Sequence, residues 1–150
     1  MKNHFEILSL PVAFAVDLDA LEKKYFEFQR QFHPDRASIS EIEQSIAINE
    51  SYEVLKNPLK RAAHILQLNG LDVENDEVAP KVDQATLLEV FEMREVGNFL
   101  AKDLNQKIKN LIDELARSLD HKDFAAAAQI LIRAKYFEKM LKDLKANGSH

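Results

Sequence analysis

Apolar side chains recur along this chain at the spacing of helix faces. Leu21, Tyr25, Phe28 and Phe32 fall at i, i+4, i+7 and i+11, one face of a helix that should begin near Asp17. That helix should stop at His33. Pro34 disfavours the helical conformation in the residue before it, and no periodic apolar residue follows through Asp35, Arg36 and Ala37. A second stripe, Ile48, Ser51, Tyr52 and Leu55, ends at Asn57-Pro58. Two helices with facing stripes and a short polar connection fold back as an antiparallel hairpin, with His33, Pro34 and Asp35 exposed at its tip. Ahead of the hairpin, Phe5, Ile7, Leu8 and Leu10 form a short apolar segment closed by Pro11, long enough for a turn or two of helix. Asp17 or Asp19 can cap the long helix, and Ser38 or Ser40 the returning one. Phe26 lies off the core stripe, where it can cover a neighbouring helix. Asn49 and Tyr52 are read as holding the hairpin together.

Asn57 before Pro58 reads as a cap followed by proline at the first helical position, so a further helix should run to about Leu68 and stop at Asn69-Gly70. Residues 71–82 carry Asp72, Glu74, Asp76, Glu77 and Pro80, a composition too polar to bury, and read as an acidic connection. Three more helical patterns follow. Asp83 can cap the first. Leu104, Ile108, Leu111, Ile112, Leu115 and Leu119 mark the second, and Ile130, Ala134, Phe137, Leu141 and Leu144 the third. Breaks or bends are expected at 120–123 and at Gly97-Asn98, unless the helix continues through the latter. The expectation is an all-α chain: a helical hairpin unit over 1–70, the connection over 71–82, and an antiparallel three-helix bundle over 83–147. Gly148-Ser149-His150 reads as the remnant of an expression tag.

Composition narrows the functions. With 150 residues, 46% of them hydrophobic and 30% charged, and only three glycines, the chain suits compact helical units. The absence of cysteine removes disulfides, thiolate nucleophiles and thiolate metal ligands. A formal net charge of −5 argues against general nucleic-acid affinity, which needs concentrated Lys and Arg. No apolar run approaches membrane-spanning length, and neither a signal-peptide pattern nor an Arg-rich presequence precedes Phe5. His4, His64 and His121 lack metal-ligand spacing. There is no Gly-rich phosphate loop and no nucleophile motif. A metal-dependent hydrolase built on His33 and Asp35 is disfavoured, because a hairpin tip offers no water-excluding pocket. No catalytic activity and no cofactor are expected, nor a nucleic-acid or membrane partner.

Two surfaces remain. Lys23, Lys24 and Arg30 lie on the long helix outside its core stripe, and Arg36 follows the tip, making a basic strip on an acidic protein. On the helix after Asp83, Val90, Met93, Val96 and Leu100 share the face that can supply the bundle core. Leu87, Leu88 and Phe91 then point elsewhere, beside Glu92 and Glu95, and Tyr136 lies off its own helix's core stripe. That apolar excess is either a binding surface or a face packed on the first unit, and composition leaves both open.

The histidine, proline and aspartate between two such helices, followed by Ile48-Asn49-Glu50-Ser51-Tyr52-Glu53-Val54-Leu55, resemble a J-domain. Phe5-Glu6-Ile7-Leu8 with Leu10-Pro11, the run from Tyr25 to Arg36, and Asn57-Pro58-Leu59-Lys60-Arg61-Ala62 resemble, more narrowly, the HscB family of iron–sulfur-cluster co-chaperones. The resemblance is dense over the first seventy or so residues and thinner beyond, where the middle section is shorter than in familiar members. It implies that His33, Pro34 and Asp35, with Lys24, Arg30 and Arg36, contact an HscA/DnaK-type chaperone and stimulate its ATP hydrolysis. It also implies that Leu87, Leu88, Phe91, Glu92 and Glu95, extended by Tyr136, bind an iron–sulfur cluster scaffold protein. A bacterial cytoplasmic setting fits this reading. A J-protein serving a different client is the alternative.

Overall fold

A computed structural model describes residues 2–31, 38–97 and 99–146. Among these residues there are seven helices and no strand. The chain divides into two compact units within one helix, between Ile65 and Leu66.

In the first unit, α1 (His4–Ile7) and α2 (Leu18–Arg30) both pack on α3 (Ile39–Lys56), and the start of α4 (Pro58–Leu68) completes the unit. Local capping sets the boundaries. The Asp17 carboxylate accepts from the backbone N–H groups of Asp19 and Ala20 at 3.0 and 3.2 Å, so Asp17 rather than Asp19 opens α2. Ser38, not Ser40, caps α3 through the N–H of Glu41. Asn57 accepts from Leu59 and Lys60, with Pro58 at the first helical position. α2 ends at Arg30 with Gln31 as its C-cap, before His33 is reached. Leu21, Ile48, Ser51 and Leu55 are buried, as the two stripes predict. Between the hairpin helices Tyr25 and Tyr52 stack at 4.2 Å, and Tyr25 and Gln29 both donate to the Asn49 side-chain oxygen. Phe26, expected to cover a neighbouring helix, is half exposed, its ring 5.3 Å from that of Tyr25 on its own helix. Ile39, Ile42 and Ile46 also face solvent, so α3 carries apolar residues on more than one face.

The second unit holds α5 (Gln84–Val96), α6 (Ala101–Asp120) and α7 (Phe124–Ala146). Lys107 of α6 pairs with Glu89 of α5, while α5 residues Glu89 and Arg94 pair with α7 residues Arg133 and Asp143. These pairings make α5 and α6 antiparallel and α5 and α7 parallel, an up-down-up bundle with α6 and α7 closely packed. Leu104, Leu111, Leu115 and Leu119 of α6 meet a stripe of α7 centred on Leu131, Ala134, Phe137 and Met140. Ile130 and Leu141, expected in that stripe, are only half-buried.

Two expectations are corrected. Val96 and Leu100 do not continue the core face of α5. Gly97 adopts φ +66°, which ends the helix at Val96, leaving Val96 73% exposed and Leu100 as the exposed N-cap of α6. Residues 71–82 are also more than a polar connection. Val73 is buried, Glu74 approaches Lys135 of α7 at 3.7 Å, and Gln129 donates to the Lys81 carbonyl at 3.3 Å. One buried apolar residue and two polar ties suffice to lay this acidic stretch along α7.

Candidate partner-binding surfaces

On the first unit, His33, Pro34, Asp35 and Arg36 lie outside the described residues. The basic side chains of α2 divide. Arg30 is exposed, its Nε against the Phe26 carbonyl at 3.4 Å. Lys23 is exposed seven residues earlier, which puts it about 20° from Arg30 around the helix. Lys24 is about 100° further round. It is half-buried and donates from Nζ to the Ser9 carbonyl at 2.8 Å, tying α2 to the end of α1. Lys23 and Arg30 therefore form the exposed basic strip, and Lys24 has a structural task.

The first unit also holds a polar cluster that sequence spacing missed. The backbone N–H of His4 donates to His64 Nε2 at 3.2 Å, the two rings lie 4.5 Å apart, and His4 Nδ1 is 2.8 Å from the buried Ser51 hydroxyl. Because His64 Nε2 accepts, that ring carries its proton on Nδ1. Burial holds the His4 imidazole below its ordinary pKa, with the Glu50 carboxylate opposing the shift. Nearby, Arg61 is 7% exposed. Its Nη1 donates to the Leu55 carbonyl at 2.6 Å, and its guanidinium lies 4.9 Å over the Phe14 ring. The cation thus caps the negative end of α3 and clamps the α1–α2 connection onto it, while burial lowers its pKa. Partners 60 residues apart leave no periodic signal. Arg61 belongs to the Asn57–Ala62 run that resembles the family, but its role was not legible in the sequence.

On the second unit, Asp83 caps α5, accepting from the Thr86 N–H at 2.8 Å. Hydrogen bonds from the Thr86 hydroxyl and backbone hold its carboxyl below the usual range. With Thr86 and Val90 turned inward, Leu87, Leu88 and Phe91 are 45, 58 and 58% exposed. Glu92 and Glu95 are exposed on the same helix, and Tyr136, on the parallel neighbour α7, is 36% exposed. Large apolar side chains at this exposure, edged by carboxylates, have the composition of an interaction surface. A cavity lined by Val73, Ile132, Tyr136, Lys139 and Lys142 adjoins Tyr136 along α7. Among the described residues no cluster of His, Asp or Glu could hold a metal ion, and no helix is long and apolar enough to cross a membrane.

Residues 3–64 match the family model described as the DnaJ domain, and residues 98–145 match the HSCB C-terminal oligomerisation domain. The chain is 33% identical to the Co-chaperone protein HscB of Proteus mirabilis, over 92% of this chain and 91% of that one. It belongs to the HscB co-chaperone family. The solved chaperone HscB from Vibrio cholerae is 25% identical and aligns with a TM-score of 0.81 over 98% of both chains. The Jac1 co-chaperone from Saccharomyces cerevisiae is 26% identical and reaches 0.84 over 97% of this chain and 94% of that one. Both share the all-helical architecture. Membership in HscB makes the protein a J-domain co-chaperone, of a kind that regulates the ATPase of another protein and implies an Hsp70-type partner.

Proposed function

We propose that this HscB-family protein binds an iron–sulfur cluster scaffold protein through α5 and Tyr136 and presents it to an HscA-type chaperone, whose ATPase it stimulates. The protein performs no chemistry of its own in this reading and works in a bacterial cytoplasm. His33, Pro34 and Asp35, with Arg30 and Arg36, contact the chaperone, while Lys24, expected among them, holds α2 to the end of α1. Pro34 restricts the backbone so that its neighbours have little entropy left to lose on docking. Lys23 joins Arg30 in steering the α2 face toward an acidic surface. Leu87, Leu88, Phe91 and Tyr136 are the apolar anchors of the scaffold face, and Glu92 and Glu95 its polar rim.

The observation that carries the proposal is the outward apolar face of α5: Leu88 and Phe91 are more than half exposed on a well-capped helix that precedes the stretch, residues 98–145, matched by the HSCB C-terminal model. A chain holding a client at one unit and a chaperone contact at the other raises the effective concentration of client at the ATPase.

Steady-state ATP hydrolysis by the HscA-type chaperone tests the division of labour. The intact protein should stimulate it, scaffold should raise the stimulation further, and His33→Gln should abolish both effects while scaffold binding persists. Stimulation indifferent to scaffold would leave a J-protein for another client.

A further inference from the structure

Hydrophobicity alone would orient α5 the other way. Its inward face offers Thr86, Val90 and the half-buried Met93, whereas its outward face carries Leu87, Leu88 and Phe91. Rolling the helix about its axis would bury more apolar surface. An opposing interaction must hold the present rotation. Glu89 supplies it. One carboxylate oxygen accepts from Lys107 Nζ of α6 at 2.7 Å, and the other from Arg133 Nη2 of α7 in a short charge-assisted bond. Arg133 Nη1 then returns to α5, donating to the buried Thr86 hydroxyl oxygen at 3.1 Å. Both cations lie over the Phe137 ring, at 5.7 Å for Lys107 and 5.0 Å for Arg133.

We infer that Glu89 is a positioning residue: the Glu89–Lys107–Arg133 node fixes the rotation of α5 that keeps Leu87, Leu88 and Phe91 facing outward. Thr86 and Glu89 are three residues apart and so share a helix face, and two polar attachments on one face define an angle that one would not. Burial raises the Glu89 pKa, but the hydrogen bonds and charges of Lys107 and Arg133 outweigh it and hold the carboxyl below its usual value. Glu89 is thus ionised at neutral pH. The use of the node, keeping a docking face available, rests on the scaffold-binding reading. The rotation itself does not.

The absence of cysteine makes the test direct, since one introduced thiol reports its own exposure. Leu88→Cys should react quickly with a maleimide and Val90→Cys slowly. Adding Glu89→Gln should slow the first and speed the second, each on the order of tenfold, the factor expected when loss of a partly buried charged hydrogen bond tips a balance between two rotations. Both thiols unchanged, or Val90→Cys faster with Leu88→Cys unchanged, would overturn the inference, the latter because α5 had only loosened. Scaffold titration of Glu89→Gln, alone and with Phe91→Ser, separates the two claims. Glu89→Gln should weaken binding on the order of tenfold alone and add little once Phe91 is gone. Equal loss in both backgrounds would overturn action through this face. Reciprocal thiol changes in a protein whose unaltered form ignores scaffold would leave the rotation standing and remove the scaffold reading.

Discussion

His4 joins three helices: α1 carries it, α3 supplies the Ser51 hydroxyl and α4 the His64 ring. Burial lowers its folded pKa, so the unfolded chain binds a proton more readily. The contribution is therefore whole above the unfolded value of 6.5 and is lost as pH falls below it toward the lowered folded value. Urea midpoints measured at about pH 7.5 and about pH 5.5 should show the intact protein losing stability between the two, and His4→Asn losing much less. Equal slopes would remove His4 as the source. Residues that act within three or four positions were legible in the sequence, Asp83 with Thr86 being a clear case. His4 with His64, and Glu89 with Lys107 and Arg133, were not, since pairing across 18 to 60 residues is fixed by packing rather than periodicity.

Among the elements, α5 differs most from its periodic expectation, and the difference lies in one backbone angle. Reading Val90, Met93, Val96 and Leu100 as one face assumed a helix running through Gly97. At φ +66° Gly97 instead closes α5, its N–H bonding the Met93 carbonyl at 3.0 Å. An added Cβ would meet nothing closer than 4.0 Å, so the cost of Gly97→Ala is conformational rather than steric. It should destabilise the protein by about 1 kcal/mol, read as a shift in the urea midpoint at constant slope. A neutral result would mean that the end of α5 readily adopts another conformation. The same angle separates α5 from α6 and lets Glu89 reach Lys107. α6 was the most legible helix because its apolar residues fall on one face. α7 was harder, since its alanines bury as well as its larger residues do, and the stripe of large side chains marked its core only in part.

For the molecule as a whole, the proposed adaptor role divides its task between the two units of the chain. Fold class was readable from helical spacing, and the tip tripeptide with the Asn57–Ala62 run made the family readable from sequence. Less legible was where one unit gives way to the next. An acidic, proline-containing stretch looked like a linker, yet Val73 and Glu74 fasten it to α7, and the division falls inside α4. The exposure of Leu88 and Phe91 was likewise undecided until Val90 and Thr86 were seen to take the inward positions. The central claim is that this exposed face binds an iron–sulfur scaffold. Calorimetric titration of the intact protein with the scaffold from the same source tests it most directly, with Leu88→Ser and Phe91→Ser as the comparison. The account predicts saturable binding that each substitution weakens by about 2 kcal/mol or more, with helical circular dichroism unchanged. Binding that survives both substitutions, or no binding by the intact protein, would contradict it.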